Sequence, residues 1–78
     1  MTARLVFLGK LADLAGVPEL TVNAGPLEQV LAGLAPDLAM ALLGDRVRMA
    51  LNGELIADRA IVLAAGDELA FLPPVSGG

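Results

Sequence analysis

Residues 25–36 read Gly25-Pro26-Leu27-Glu28-Gln29-Val30-Leu31-Ala32-Gly33-Leu34-Ala35-Pro36. Leu27, Val30, Leu31 and Leu34 fall at i, i+3, i+4 and i+7, which gathers them into one apolar stripe along a helix. Pro26 suits the first helical position, where no N–H is needed, and Pro36 ends the helix. Such a stripe must be covered, and the flanking segments indicate by what.

Upstream, residues 3–8 form a strand with Leu5 and Phe7 on one face and Arg4, Val6 and Leu8 on the other. A short helix over 10–15 follows, with Leu11 and Leu14 three apart and Gly16 as its stop. Residues 19–23 (Glu-Leu-Thr-Val-Asn) alternate polar and apolar, as a half-buried strand does, and pair with the first strand. Downstream of Pro36, Asp37 caps a second short helix over 38–43, closed by Gly44. Val47, Met49 and Leu51 then alternate into Asn52-Gly53, the strongest short hairpin signal, because both central residues of a type I′ turn need positive φ. Residues 54–56 return as a strand. Ala65-Gly66-Asp67 turns the chain into a last strand over 68–72, which Pro73-Pro74 terminates.

Two strands, a helix and several more strands make an α+β protein, a mixed sheet with one main helix laid over it and short extra helices. That arrangement is the β-grasp. The predicted domain covers residues 1–72, and residues 73–78 form a flexible C-terminal tail.

The chain of 78 residues has no cysteine and is 56% hydrophobic with only two Phe and no Trp or Tyr. Its core is therefore aliphatic, and no disulfide supports it. No run approaches the roughly 18 uninterrupted apolar residues of a membrane span, and a cleavable signal peptide is not expected, because Arg4, Lys10 and Asp13 break up the N-terminal apolar run. A soluble, cytoplasmic protein with no membrane association is expected. The net charge of −4, with five basic residues scattered among nine acidic ones, argues against nucleic acid.

Conventional catalysis lacks its usual groups. With neither His nor Cys, the commonest bases, nucleophiles and soft-metal ligands are missing. The carboxylates sit at turns and helix starts, where capping and solubility account for them. No metal ligand and no bound cofactor is expected.

Two features remain. The first is the ending Pro73-Pro74-Val75-Ser76-Gly77-Gly78. The prolines stiffen the exit from the sheet, and the four residues after them reach about 13 Å. Without a Cβ, Gly77-Gly78 can thread a channel too narrow for other residues. The α-carboxylate of Gly78 is a poor electrophile and needs activation by another enzyme, typically as an acyl-adenylate. The second feature is the outer sheet face. If Leu5, Phe7, Leu69 and Phe71 face the helix, then Val6, Leu8, Ala70 and Leu72 face away, on strands that are neighbours in a β-grasp. A solvated face should be polar. An apolar one beside the tail reads as a docking patch that includes Leu8 and Leu72, continued by Pro73, Pro74, Val75 and Ser76.

The ending Gly66-Asp67-Glu68-Leu69-Ala70-Phe71-Leu72-Pro73-Pro74-Val75-Ser76-Gly77-Gly78 closely resembles the small subunit of molybdopterin synthase, the MoaD family. The Ala50-Leu51-Asn52-Gly53 hairpin and the run from Arg4-Leu5-Val6-Phe7-Leu8 to Leu14-Ala15-Gly16 are similar too. The resemblance implies a sulfur carrier. A ubiquitin-activating-like adenylyltransferase would use ATP to adenylate Gly78, and a sulfur donor protein would convert it to a thiocarboxylate. The tail would then enter the large subunit of molybdopterin synthase and give its sulfur to cyclic pyranopterin monophosphate. Catalysis would belong to the assembled synthase, with Gly78 as the reacting group and Gly77 threading the tail. A sulfur carrier for the thiamine thiazole ring, a ubiquitin-like protein modifier and a non-catalytic β-grasp interaction module are the alternatives.

Overall fold

The computed structural model of the protein describes residues 1–74. The strand β1 (Thr2–Phe7) runs into the short helix α1 (Lys10–Ala15), and β2 (Glu19–Asn23) returns antiparallel to β1, pairing Leu5 with Leu20 and Ala3 with Val22. Gly16 ends α1 with a left-handed φ of 80° and donates its N–H to the Ala12 carbonyl. Leu11 is buried as expected, but Leu14 is half exposed, and Ala12 and Ala15 complete the inner side of the helix instead.

A two-residue strand, β3 (Gly25–Pro26), precedes the helix α2 (Leu27–Ala32). The helix starts one residue later than its proline suggests, because Gly25 and Pro26 pair with Leu63 and Val62, and the Leu27 N–H donates to the Ile61 carbonyl at 2.9 Å. The stripe lies where its spacing places it. Leu27 and Leu31 are buried, and Val30 and Leu34 pack at the margin of the core.

Pro36 does not end α2. Gly33 does, and Pro36 opens the next helix, α3 (Pro36–Leu42), with Ala35 before it at φ −56°, ψ 138°. The residue before a proline is driven out of the helical region, so the break falls ahead of Pro36, whose fixed φ then suits a first turn. Asp37 lies in that turn and makes no capping hydrogen bond, so its anticipated cap role is not observed.

The remaining strands are β4 (Arg48–Leu51), β5 (Glu54–Ile56), β6 (Val62–Leu63) and β7 (Glu68–Leu72). Asn52 and Gly53 carry φ of 51° and 86°, the positive values that the β4–β5 turn requires. The main sheet has the order β2-β1-β7-β4-β5, with β7 parallel to β1 and antiparallel to β4, and β3 and β6 form a separate pair. First and last strands are thus central neighbours. Leu5, Phe7, Leu69 and Phe71 are buried on the helix side, with the two Phe rings stacked at a centroid distance of 6.0 Å. Leu38, Leu42, Met49 and Leu63 close the core, which holds no buried polar side chain among the described residues.

Candidate functional site

On the sheet face away from the helices, strand register places residues in rows. Glu19, Val6, Ala70, Ala50 and Leu55 lie opposite one another across the strands β2, β1, β7, β4 and β5. One row towards the start of β1, Thr21, Arg4 and Glu68 form a polar line, where the Arg4 guanidinium hydrogen-bonds Glu68 and lies 3.7 Å from Glu19. Beyond the apolar row, in the direction of the chain's exit, Leu72 stands opposite Arg48.

The face is therefore polar along the Thr21, Arg4 and Glu68 line, apolar across Val6, Ala70, Ala50 and Leu55, and mixed at the chain's exit, where Arg48 stands beside Leu72. Leu8 is 42% exposed just past β1, with its N–H on the Phe71 carbonyl at 3.1 Å. Leu72 is half-buried, Pro73 is half-buried and Pro74 is exposed. The structure brings these four together at one end of the sheet. Val75, Ser76, Gly77 and Gly78 lie outside the described residues.

Two apolar members of this face were missed from the sequence. Ala50 extends the apolar row, and Leu55, 66% exposed, ends it. The signal was present in the Asn52-Gly53 turn, since a two-residue loop sets Ala50 opposite Leu55 and both on one face. Beside the exit, Arg46, Arg48, Leu55, Leu72, Pro73 and Pro74, together with Asp45, line a shallow groove of about 500 Å³. The groove joins the apolar face to the point where the chain leaves the sheet.

The start of β7 is anchored by polar contacts. The Asn52 Oδ1 accepts from the Glu68 N–H at 2.9 Å, and the Asp67 Oδ2 accepts from the Ala64 N–H at 2.8 Å. The Ala64 N–H, followed by the Asn52 side-chain amide, holds the Asp67 carboxyl below its usual range. Among the described residues no group of three or more His, Cys, Asp or Glu side chains could hold a metal ion, and no helix is long and apolar enough to cross a membrane.

A sheet with parallel central strands, a helix packed across one face and an apolar opposite face leading to the C-terminal segment defines a ubiquitin-like β-grasp protein. Residues 5–78 match the ThiS family, and the chain belongs to that family. Its fold is that of the ThiS/MoaD ubiquitin-like sulfur carriers. The structure is similar to SAMP1 from Haloferax volcanii, at 31% identity over all of both chains with a TM-score of 0.81. It is also similar to a chain of the complex of subunits 1 and 2 of molybdopterin-converting factor from Helicobacter pylori 26695, at 27% identity over all of both chains with a TM-score of 0.72. Mycobacterium tuberculosis CysO shares the fold, at 18% identity over 94% of this chain and 99% of that one with a TM-score of 0.74. Among curated proteins no sequence matches the chain.

Proposed function

We propose that this protein is the sulfur-carrying small subunit of a molybdopterin synthase. The observation that carries the reading is the continuity of the apolar outer face with the Pro73-Pro74 exit, which leads in sequence to Gly77-Gly78. A carrier needs a docking surface and a reactive end in fixed relation, and it needs no catalytic side chains of its own. The full-length likeness to a chain of the molybdopterin-converting factor complex supports a large-subunit partner.

In this role the Gly78 carboxylate attacks the α-phosphorus of ATP on a ubiquitin-activating-like adenylyltransferase, and pyrophosphate leaves. A persulfide on a sulfur donor protein then displaces AMP, and a thiol cleaves the resulting acyl disulfide to leave the Gly78 thiocarboxylate and a disulfide. The large subunit receives the tail, and the sulfur passes to cyclic pyranopterin monophosphate. No cofactor is bound by the carrier itself, and the cytoplasm, where ATP is abundant, is the compartment of this cycle.

The test is the intact mass of the protein purified from its own host. The expected product is heavier by the difference between one sulfur and one oxygen atom, localised to Gly78. A carboxylate that stays unmodified, even after co-expression with the host adenylyltransferase and sulfur donor, overturns the proposal.

The likeness to SAMP1, a small archaeal modifier protein, favours a second reading. There the same adenylated Gly78 is joined to lysine amines of other proteins. Branched peptides carrying the Gly77-Gly78 remnant on lysine, in place of a thiocarboxylate, would mark that outcome.

A further inference from the structure

The segment Leu8-Gly9-Lys10-Leu11 is a tight turn between β1 and α1. The Leu8 carbonyl accepts the Leu11 N–H at 3.1 Å, and Gly9 has φ 54°, ψ −131°, the conformation of the second residue of a type II′ turn. Only glycine takes those angles without strain. Gly9 also lies directly under the exiting chain. A Cβ built on it would stand 3.1 Å from Cγ of Pro73, well inside the roughly 3.5–4.0 Å of an ordinary carbon–carbon contact. On the other side of the turn, the Leu8 N–H holds the Phe71 carbonyl two residues before that proline.

We infer that Gly9 is a positioning residue for the C-terminal tail: its bare Cα forms the seat on which Pro73 rests, and that seat fixes the direction in which the chain leaves the sheet. The inference rests on the carrier reading above. The four residues after Pro74 span at most about 13 Å when fully extended, so the point from which they start bounds where Gly78 can go. Where Pro73 sits therefore decides which points Gly78 can reach once the outer face has docked. The turn serves two ends of the chain at once. It starts α1, through the Ala12 N–H on the Gly9 carbonyl at 3.1 Å, and it supports the tail exit.

A purely structural glycine and a positioning glycine make different predictions. In the carrier's reaction with its cognate adenylyltransferase, followed by ATP–pyrophosphate exchange, Gly9→Ala should lower kcat about tenfold, because reacting groups tolerate little displacement. The affinity of the docked complex, measured by calorimetry, should stay within about twofold of wild type, since the outer face is untouched. Pro73→Ala, which leaves the Gly9 backbone alone, keeps the test open if Gly9→Ala folds poorly, and it should lower kcat while the melting curve is retained. The double variant Gly9→Ala/Pro73→Ala should lose less than the two single losses combined, because the ring that the methyl would strike is gone and only the backbone strain at position 9 remains. A nuclear Overhauser contact between the Gly9 Hα and Pro73 Hγ protons should be present in the wild type without any enzyme. Absence of that contact, additive losses in the double variant, or Pro73→Ala with wild-type kcat would each overturn the inference. Wild-type protein that is not adenylated at all would overturn the carrier reading instead, and the two failures are thereby distinguished.

Discussion

The side-chain amide of Asn52 donates to Oδ1 of Asp67 at 3.1 Å and ties the tip of the β4–β5 hairpin to the turn that begins β7. The Asn52 N–H reaches the Glu68 carbonyl at 2.8 Å in the same clasp, and the Arg4 N–H reaches the Asp67 carbonyl at 2.8 Å. Three segments far apart in sequence are therefore fixed at the first residue of the strand that carries the tail. The register of β7 against β1 and β4 decides which residues meet the outer face, so this clasp stands upstream of the site.

Asp67 makes that clasp pH-dependent. Its carboxyl is held below the ordinary value of 3.8 by the Ala64 N–H and then by the Asn52 amide. A depressed folded-state pKa contributes stability above the unfolded pKa and loses it as pH falls through the folded one. Wild type should be more stable than Asp67→Asn near pH 7, and the gap should narrow below about pH 4. Urea melts of both proteins across that range provide the check. A gap that stays constant down to about pH 2 would show that the charge on Asp67 plays no part.

Much of this was readable from residue order, and the reasons are local. Asn52-Gly53 needs positive φ, and the spacing of Leu27, Val30, Leu31 and Leu34 needs a helix, so both were read correctly. The outward-facing Val6, Ala70 and Leu72 followed from strand alternation. Other features depend on partners remote in sequence. Pro26 reads as a helical first residue until Val62 and Leu63 arrive to pair with it as β6, a strand too short to show any alternation. Pro36 was read as a stop, but Gly33 had already ended α2 and left Pro36 to open α3. The positions of Gly77 and Gly78 rest on sequence and family alone, since both lie outside the described residues.

Arg59 was invisible for a similar reason. It sits in the stretch between β5 and β6 and donates to the carbonyls of Leu43 at 2.7 Å and Gly44 at 2.9 Å, past the last turn of α3. The guanidinium supplies a donor to the Leu43 carbonyl at the helix end, shares the Gly44 carbonyl with the Val47 N–H at 3.1 Å, and as a cation favours the helix dipole. Arg59→Ala should lower stability by about 1–2 kcal/mol. Arg59→Lys should recover part of that, because it retains the charge but loses the two-pronged geometry. Thermal melts of the three proteins test this, and an unchanged midpoint for Arg59→Ala would show the contacts to be energetically idle.

On the outer face, Leu8→Glu and Leu72→Glu should weaken binding to the large subunit far more than they destabilise the free domain. A carboxylate on an exposed face stays hydrated, whereas burying it unpaired at an interface costs several kcal/mol. Phe71→Ala is the contrasting control. It removes a fully buried ring stacked on Phe7 and should cost about 3–5 kcal/mol of stability. Titration calorimetry beside urea melts separates the two effects. A loss above about 2 kcal/mol for Leu72→Glu would place that side chain in the core and leave the docking face without its central residue.

Removing Gly78 should abolish sulfur transfer and leave the melting curve unchanged, because every buried residue of the described core lies at or before Phe71. Adding one residue after Gly78 should be as damaging, since it moves the reacting carbon away from the adenylating and receiving sites. A truncated protein that still supports molybdopterin formation would end the carrier proposal.

Gly77→Ala asks more of the chemistry, since Gly78 and its carboxylate remain. In the proposed cycle the tail enters at least two different active sites, one for adenylation and one for sulfur donation. Each must surround the last peptide closely to keep water from the activated carbonyl. A methyl group at position 77 adds volume where such a channel is narrowest and closes off positive φ. Both steps should slow, because near-attack geometry tolerates little displacement. Docking should survive, because Val6, Ala70, Leu55 and Leu72 are unchanged. Pyrophosphate exchange, single-turnover sulfur transfer and affinity for the large subunit together decide the matter. Wild-type rates at both steps would mean that the channels are roomy and that Gly77 acts only as a spacer. A loss at one step alone would assign the narrow passage to that enzyme, leaving the other free to accept a bulkier ending.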